Sequence, residues 1–379
     1  MSGFEILTAG RVVFGRGRAA DAVDAIRAHG TRVLLLRGSH AAADRLAADL
    51  RAQGCAVEEI RQKGEPLLDD LEAIVARSRE MRIDVVAALG GGSAVDMAKA
   101  AAALIPALGP AMRYLEVVGE GRTLEAAPLP FVALPTTAGT GAEVTKNAVI
   151  GVPEHGRKVS LRDARMLANL AIIDPALTDG APRDVTLASG LDAVTQVIEP
   201  YLSCRATPFT DALCRDAIPR GLTALARLMQ GEDAAARDDL ALTSLFGGLA
   251  LANAGLGAVH GFAGVLGGRT GAAHGALCGR LLPGVLRANV RAVAEEGGDL
   301  SRHDEVAGWI GAALGDDADP IGVLERSITA WGLPGLATLG VGEADIPDLA
   351  RESQATSSMR GNPVALSQPQ LEAILRDSL

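Results

Sequence analysis

Residues 85–100 read Val85-Val86-Ala87-Ala88-Leu89-Gly90-Gly91-Gly92-Ser93-Ala94-Val95-Asp96-Met97-Ala98-Lys99-Ala100. Five apolar residues form a strand that passes through three glycines and a serine directly into a helix. Glycine lets the backbone approach a ligand closely, and the free N–H groups at the start of a helix point at it. Chemically this is a pyrophosphate cradle; a plain strand-to-helix turn needs fewer glycines. The run lacks the G-x-G-x-x-G spacing, which sets it outside the ordinary Rossmann pattern.

On either side of this run, short apolar runs at 33–36, 56–60, 85–89, 131–134 and 170–173 alternate with amphipathic stretches at 42–52, 67–80 and 94–104. Strand and helix in alternation imply a mostly parallel sheet. Beyond Asp174-Pro175 the pattern changes to long Ala/Leu-rich helices at 208–229, 235–254 and 285–294, with almost no β-branched alternation. A last helix at 370–379 follows Ser367 and Gln370, which stand at capping-box spacing. The fold class predicted is an α/β N-terminal dinucleotide-binding domain with a mostly parallel sheet, over 1–178, followed by an all-α C-terminal metal and substrate domain, over 179–379.

Composition narrows the function. Apolar residues make up 48% of the 379, enough for sizeable cores, whereas aromatic residues make up 3%, too few for a stacking platform on single-stranded nucleic acid. Against 46 Asp and Glu stand 36 Lys and Arg, a net charge of −10 that offers no broad footprint for nucleic acid or an anionic membrane. Cys55, Cys204, Cys214 and Cys278 are scattered without a C-x-x-C, so reduced thiols in a cytoplasmic protein are expected. The first residues show no basic run leading into an apolar core, and no apolar stretch reaches the length of a membrane span.

Two further segments carry chemistry. Pro135-Thr136-Thr137-Ala138-Gly139-Thr140-Gly141-Ala142-Glu143-Val144-Thr145 follows a predicted strand, and hydroxyls and glycines at that density suit a loop that bonds ribose, phosphate and a carboxamide. The stretch 257–283, GAVHGFAGVLGGRTGAAHGALCGRLLP, holds His260 and His274 in a Gly/Ala-rich setting. Imidazole both ligates metals and moves protons near neutral pH, which makes this pair the leading candidate for catalysis. Cys278, four residues past His274, reads as a small packing residue, and His29, His40, His155 and His303 read as surface.

With these segments in hand, LGGGSAVDMAKA, LPTTAGTGAEVT, GLDAVTQVIEPYLS and GAVHGFAGVLGGRTGAAHGALCGRLLP resemble, in order and spacing, the iron-containing (group III) alcohol dehydrogenase family. The opening RVVFGRG and the late GNP extend the resemblance over nearly the whole chain. It implies a dehydroquinate synthase-like fold with the active site in a cleft between two domains. The implied activity is NAD(P)-dependent hydride transfer between nicotinamide and a small alcohol, aldehyde or ketone, assisted by a divalent metal, Fe or Zn. Carried over by position, Gly91, Gly92 and Ser93 hold the pyrophosphate, with Asp96 a contact or helix cap. Thr136, Thr137, Thr140 and Thr145 line the ribose and nicotinamide side, and Lys158 lies beside the cofactor. Catalysis and metal binding fall to Asp192, His260 and His274, with Gln196 where the family places a further His. A homodimer or larger homo-oligomer is also implied.

Three departures matter. Gly38 stands where NAD-preferring relatives carry an Asp that repels a 2′-phosphate; with Arg37 and Ser39 beside it, NADP(H) is predicted to be accepted and preferred to NAD(H). An amide oxygen at Gln196 is a weaker donor than imidazole, so a weakened metal site, a three-ligand site, or a metal-independent site like that of maleylacetate reductases all stay open. Gly264 replaces a family His four residues after His260, which removes a proton relay and leaves room above the nicotinamide. A dehydroquinate-synthase-like lyase and a non-catalytic dinucleotide-binding protein are the rival readings.

Overall fold

A computed structural model of the chain describes residues 3–379. In the first half the elements run β1 (Val12–Phe14), α1 (Ala22–Arg27), β2 (Arg32–Arg37), α2 (Ala42–Ala52), β3 (Ala56–Arg61), α3 (Leu68–Glu80), β4 (Val85–Gly90), α4 (Gly92–Leu104), β5 (Phe131–Pro135), β6 (Asn147–Val152), β7 (Arg157–Arg162) and β8 (Leu170–Ile173). Six strands form one sheet in the order β1-β8-β5-β4-β2-β3, and every pairing in it is parallel. A parallel sheet is covered on both faces, so its inner strands read as unbroken apolar runs. Accordingly β4 and β5 are buried along their whole length. The edge strand β3, AVEEIR, instead carries charges that discourage edge-to-edge pairing.

From β2 the chain runs outward to β3 and then returns to place β4 on the other side of β2. The direction of winding therefore reverses between β2 and β4, where the strand ends open a crevice in sheets of this kind. Gly38 and the glycine run 90–92 lie at these two ends. Sequence alternation did not reveal the antiparallel hairpin of β6 and β7, which turns at Gly156 with φ +58°. Its alternating burial, one residue in and one out along β6, comes from a segment where glycine and polar residues break up the apolar pattern.

The second half is helical: α5 (Arg183–Leu202), α6 (Pro208–Gln230), α7 (Ala234–Ala254), α8 (Ala258–Thr270), α9 (His274–Glu295), α10 (Ser301–Leu314), α11 (Pro320–Ala330), α12 (Ile346–Gln354) and α13 (Gln368–Asp377). Helix α5 is the hub, packed on α6, α7 and α9, and from Gly190 to Leu202 it is buried on every side. A helix buried all round is expected to be apolar, so Asp192, Gln196 and Glu199 on it call for a reason. The capping box at Ser367 and Gln370 forms as read, starting α13. His303, expected at the surface, is buried in α10; its polar sequence neighbours occupy other faces of the helix. No single helix among the described residues is long and apolar enough to cross a membrane.

By contacts the chain forms two compact units. One is Leu7–Thr137 with Gly141–Asp179; the other is Gly180–Leu379 with Ala138–Thr140 and the described residues before Leu7. Three residues of the Thr/Gly loop thus belong to the helical unit.

Candidate active site

In the α/β unit the strand ends after β2 and β4 meet backbone to backbone. The Gly38 N–H donates to the Leu89 carbonyl at 2.9 Å, and a Cβ on Gly90 would lie 2.8 Å from Gly38 N and 2.7 Å from Ala94 Cβ. Gly90 is therefore required by packing. Gly91 is not: its φ of −71° suits any residue, and a Cβ there would meet only the Thr137 side chain, at 3.4 Å and beyond. Helix α4 begins at Gly91 without a side-chain cap and without an acidic residue in its first turn. Uncapped N–H groups beside a glycine that the protein itself does not need make a cradle that a Cβ would fill, which fits the pyrophosphate of a dinucleotide.

The neighbouring loop is tied down from within. Lys99 is fully buried in α4, and its Nζ donates to Ala142 O at 2.6 Å, Thr145 Oγ1 at 2.8 Å and Asn147 O at 2.8 Å. Burial pushes its pKa down, against the opposing pull of Asp96 and Glu143. Glu143, also buried, is pushed up to about 7 by loss of solvation. Thr145, expected on the nicotinamide side, is buried with its hydroxyl in this cluster. Asp96, expected as a contact or cap, lies a full turn inside α4 and accepts the Val149 N–H at 3.0 Å, joining α4 to β6. The Thr136 N–H donates to Gly90 O at 2.9 Å, which holds the glycine run and the Thr/Gly loop together. Lys158 sits on β7 with Nζ 3.4 Å from Glu65 Oε1. Ser39 is exposed just past β2.

Arg37 departs from expectation. Its guanidinium is held by Asp44 and, at 3.2 Å, by Glu59, so it is not free to receive a 2′-phosphate. The sequence placed Arg37 beside Gly38 but could not show that two acids on α2 and β3 already claim it.

In the helical unit, Asp192, His260, His274 and Cys278 converge so that one ligand atom from each lies within 4.8 Å of the others. Glycines bring this about. A Cβ on Gly275 would stand 2.0 Å from Ala188 O, and one on Gly279 would stand 2.4 Å from Leu191 Cδ1. The start of α9 can thus press against α5, and the residues just before those glycines, His274 and Cys278, face Asp192. His260 Nε2 is 3.3 Å from Asp192 Oδ1, and His274 Nε2 is 3.8 Å from the same oxygen. Asp192 Oδ1 and His260 Nε2 are buried and have no hydrogen-bond partner among the described residues. Buried polar atoms are almost always satisfied, so two orphans facing each other fit a cation between them.

Glu199, which the sequence reading missed, completes the arrangement. Its Oε2 is 2.6 Å from His260 Nδ1 and its Oε1 accepts the Val259 N–H at 2.6 Å. A carboxylate on Nδ1 is the usual second partner of a metal-bound imidazole, and in the neutral ring it leaves Nε2, toward Asp192, as the nitrogen open to a metal. The i, i+7 spacing from Asp192 on α5, two turns along one face, was the available signal. Asn362, from the late GNP, accepts the Ala258 N–H at 3.1 Å and closes the other side of the α8 terminus. Burial alone would depress the His260 imidazole, but Cys278, Glu199 and Asp192 hold it well above its ordinary value. The same contest, won by Cys278 and Asp192, puts His274 at about 9. Asp192, which burial would push up, is held down by the two imidazoles.

Gln196 does share the buried face of α5, but its Nε2 donates to the Thr140 carbonyl at 2.6 Å. Gly264 lies in α8 with no atom within 4 Å of where its Cβ would be. Cys278 is fully buried, as a packing residue is, yet its Sγ is 3.6 Å from His274 Nε2.

Comparison with known proteins defines the class. Residues 9–175 match the family described as iron-containing alcohol dehydrogenase, and residues 186–379 match the C-terminal part of the Fe-containing alcohol dehydrogenase family. The chain belongs to the iron-containing alcohol dehydrogenase family and is an oxidoreductase of that family. It is 36% identical over 310 residues to the probable alcohol dehydrogenase EutG of Escherichia coli, covering 81% of this chain and 76% of that protein. It is 34% identical over 339 residues to long-chain-alcohol dehydrogenase 1 of Geobacillus thermodenitrificans, covering 87% and 84%. Among solved structures it resembles a 1,3-propanediol oxidoreductase with a TM-score of 0.89 at 29% identity, over the whole of both chains. It also resembles the sulfoacetaldehyde reductase of Bifidobacterium kashiwanohense in complex with NAD+, with a TM-score of 0.86 at 26% identity, covering 100% of this chain and 99% of that one. The family works with NAD(H) and a metal on small-molecule substrates.

Proposed function

We propose that this chain interconverts a small alcohol and its aldehyde or ketone, with the dinucleotide on the loops at Gly38, Gly91–Ser93 and Thr136–Thr137 and a divalent metal on Asp192, His260 and His274. The observation that carries the metal-assisted reading is the pair of orphaned atoms, Asp192 Oδ1 and His260 Nε2. A site that polarised the carbonyl through imidazole N–H groups alone would not account for a carboxylate oxygen and a ring nitrogen buried side by side without a hydrogen bond.

When bound, the metal supplies Lewis acidity toward the carbonyl oxygen and the nicotinamide supplies the hydride. The chain's own residues do the rest. Gly91 and the uncapped start of α4 receive the pyrophosphate. Glu199 fixes the His260 tautomer, and Asp192 contributes the negative charge that makes the site bind a cation. Glycine at 264 provides no imidazole, so the alkoxide oxygen takes its proton from water or the cofactor ribose. The volume kept free there suits a substrate bulkier than ethanol.

Gly38 does not repel a 2′-phosphate, and Arg37, engaged by Asp44 and Glu59, does not attract one. Use of both NAD(H) and NADP(H) follows, without the NADP(H) preference that Gly38, Arg37 and Ser39 suggested in the sequence. The reading includes a cytoplasmic location, supported by four free cysteines, and a homo-oligomer, supported by the edge strand β1 with Phe14 exposed.

The test is elemental analysis of gently purified protein together with NADH and NADPH oxidation on aldehydes and ketones, before and after chelation. About one metal per chain and chelator-sensitive turnover are expected. Turnover unaffected by complete metal removal would overturn the metal-assisted reading, and cofactor binding without turnover on any carbonyl would overturn the catalytic one.

A further inference from the structure

Resting on the metal-assisted reading above, we propose that the fourth protein ligand of the metal is the thiolate of Cys278, and that the resulting donor set selects zinc over iron. The resemblance points to position 196 for this ligand. The structure moves the role to another helix.

The Gln196 amide is committed by a 2.6 Å bond from its nitrogen to the Thr140 carbonyl, within the helical unit, and its oxygen is a neutral, weaker donor than a thiolate. Gly247 lies close behind, where an added Cβ would stand 3.5 Å from both Gln196 Cβ and Nε2. The amide serves to pin the short segment 138–140 to α5. Cys278 takes the opposite course. It lies one turn after His274 on α9, wholly buried, with its neighbour Gly279 allowing the closest approach to Leu191 on α5.

Two of the distances match a single tetrahedral ion, while His274 Nε2 at 3.8 Å from Asp192 Oδ1 has to draw in on binding. Zinc bonds of about 2.3 Å to sulfur and about 2.0–2.1 Å to nitrogen or oxygen, at a tetrahedral angle, separate S from N by about 3.6 Å and N from O by about 3.3 Å. Cys278 Sγ is 3.6 Å from His274 Nε2, and His260 Nε2 is 3.3 Å from Asp192 Oδ1. The second pair consists of the two buried atoms that have no other partner among the described residues, an observation independent of the cysteine.

Such a set has a different chemistry from one carboxylate and three imidazoles. Carboxylate and thiolate together carry two negative charges, so a bound divalent ion is neutralised by its own ligands. The soft sulfur favours zinc over ferrous iron, which is better matched by harder donors. With four protein donors a carbonyl oxygen would enter as a fifth ligand, and the more neutral centre would be a milder Lewis acid. It also lacks the redox-active metal through which iron enzymes lose activity in air.

Cobalt(II) reports thiolate ligation directly, through a near-ultraviolet sulfur-to-cobalt charge-transfer band. The full chain, stripped of metal and carrying Cys204→Ser to remove the exposed thiol, is titrated with cobalt. The same titration is run with Gln196→Ala and with Cys278→Ser. We expect one cobalt per chain and the band in the parent and in Gln196→Ala. In Cys278→Ser we expect loss of the band and a drop of at least 10-fold in the preference for zinc over ferrous iron in anaerobic competition. X-ray absorption of the zinc-loaded parent should show one sulfur scatterer at about 2.3 Å, a result that stands even if Cys278→Ser fails to fold. Stoichiometric cobalt without the band, or zinc without the sulfur shell, overturns the cysteine ligand and leaves the metal-assisted reading in place. No bound metal at all overturns both.

Discussion

One carboxylate, that of Glu199, holds His260 Nδ1 at 2.6 Å through Oε2 and accepts the Val259 N–H at 2.6 Å through Oε1. It therefore fixes both the imidazole and the first turn of the helix that carries it. Glu199→Ala should weaken metal affinity about 10–100-fold and lower stability by about 1–3 kcal/mol, because a buried N–H loses its acceptor. Glu199→Gln should keep the acceptor for Val259 and lose mainly metal affinity. Competition against a calibrated chelator reads the first effect and urea unfolding the second; wild-type affinity in both variants would show that the ring needs no such partner.

Gly90 and Gly91 are adjacent but answer to different demands. Gly90→Ala should cost about 1–3 kcal/mol of stability by overpacking against Gly38 and Ala94. Gly91→Ala should change stability by less than about 0.5 kcal/mol while weakening NADH binding at least 10-fold. Equilibrium unfolding and NADH fluorescence titration distinguish them. If Gly91→Ala bound NADH normally, the cradle would not lie at that glycine.

Burial lifts Glu143 to about 7 from an ordinary value of 4.5. The folded chain then holds this proton more tightly than the unfolded chain does. Its contribution to stability is complete below about pH 4.5 and is lost as pH rises through about 7. Glu143→Gln should remove that loss, making the variant more stable than wild type at pH 8 by on the order of 3 kcal/mol, with the gap closing toward pH 5. Unfolding curves that keep a constant separation across this range would exclude the mechanism.

Gly264 occupies the interior of α8 with open space where a Cβ would project. Gly264→Ala should raise stability by about 0.5–1 kcal/mol through helix propensity alone. Gly264→His should fold equally well and narrow the substrate range, with KM rising more for branched than for linear carbonyls. A uniform fall in kcat with unchanged selectivity would argue against that volume belonging to the substrate.

The alternation of strand and helix from 33 to 173 and the long helices after 208 were legible in the sequence because each element's burial follows its own period. Hairpin β6–β7 was not, since Gly151 and Pro153 break the alternation that its pairing restores in space. At the site, Asp192, His260 and His274 were singled out through resemblance, and the fold brings their ligand atoms within 4.8 Å of one another. Glu199 escaped notice because a buried acid two turns along a helix looks like any other polar position until its partner is seen. The orientations of Arg37, Gln196 and Cys278 depend on residues distant in sequence, on β3, at Thr140 and on α5, and no local pattern encodes them.

The grouping of Ala138–Thr140 with the helical unit sets a limit on modularity. A C-terminal half cut at Gly180 and grafted onto another dinucleotide-binding domain would arrive without Thr140, leaving the buried Gln196 amide to find a new acceptor. It would also lose the segment at Gly139 that lies against Ser189. Chimeras in this family should therefore succeed when the exchanged piece includes three residues from the other half of the gene, and fail when the seam follows the linear boundary.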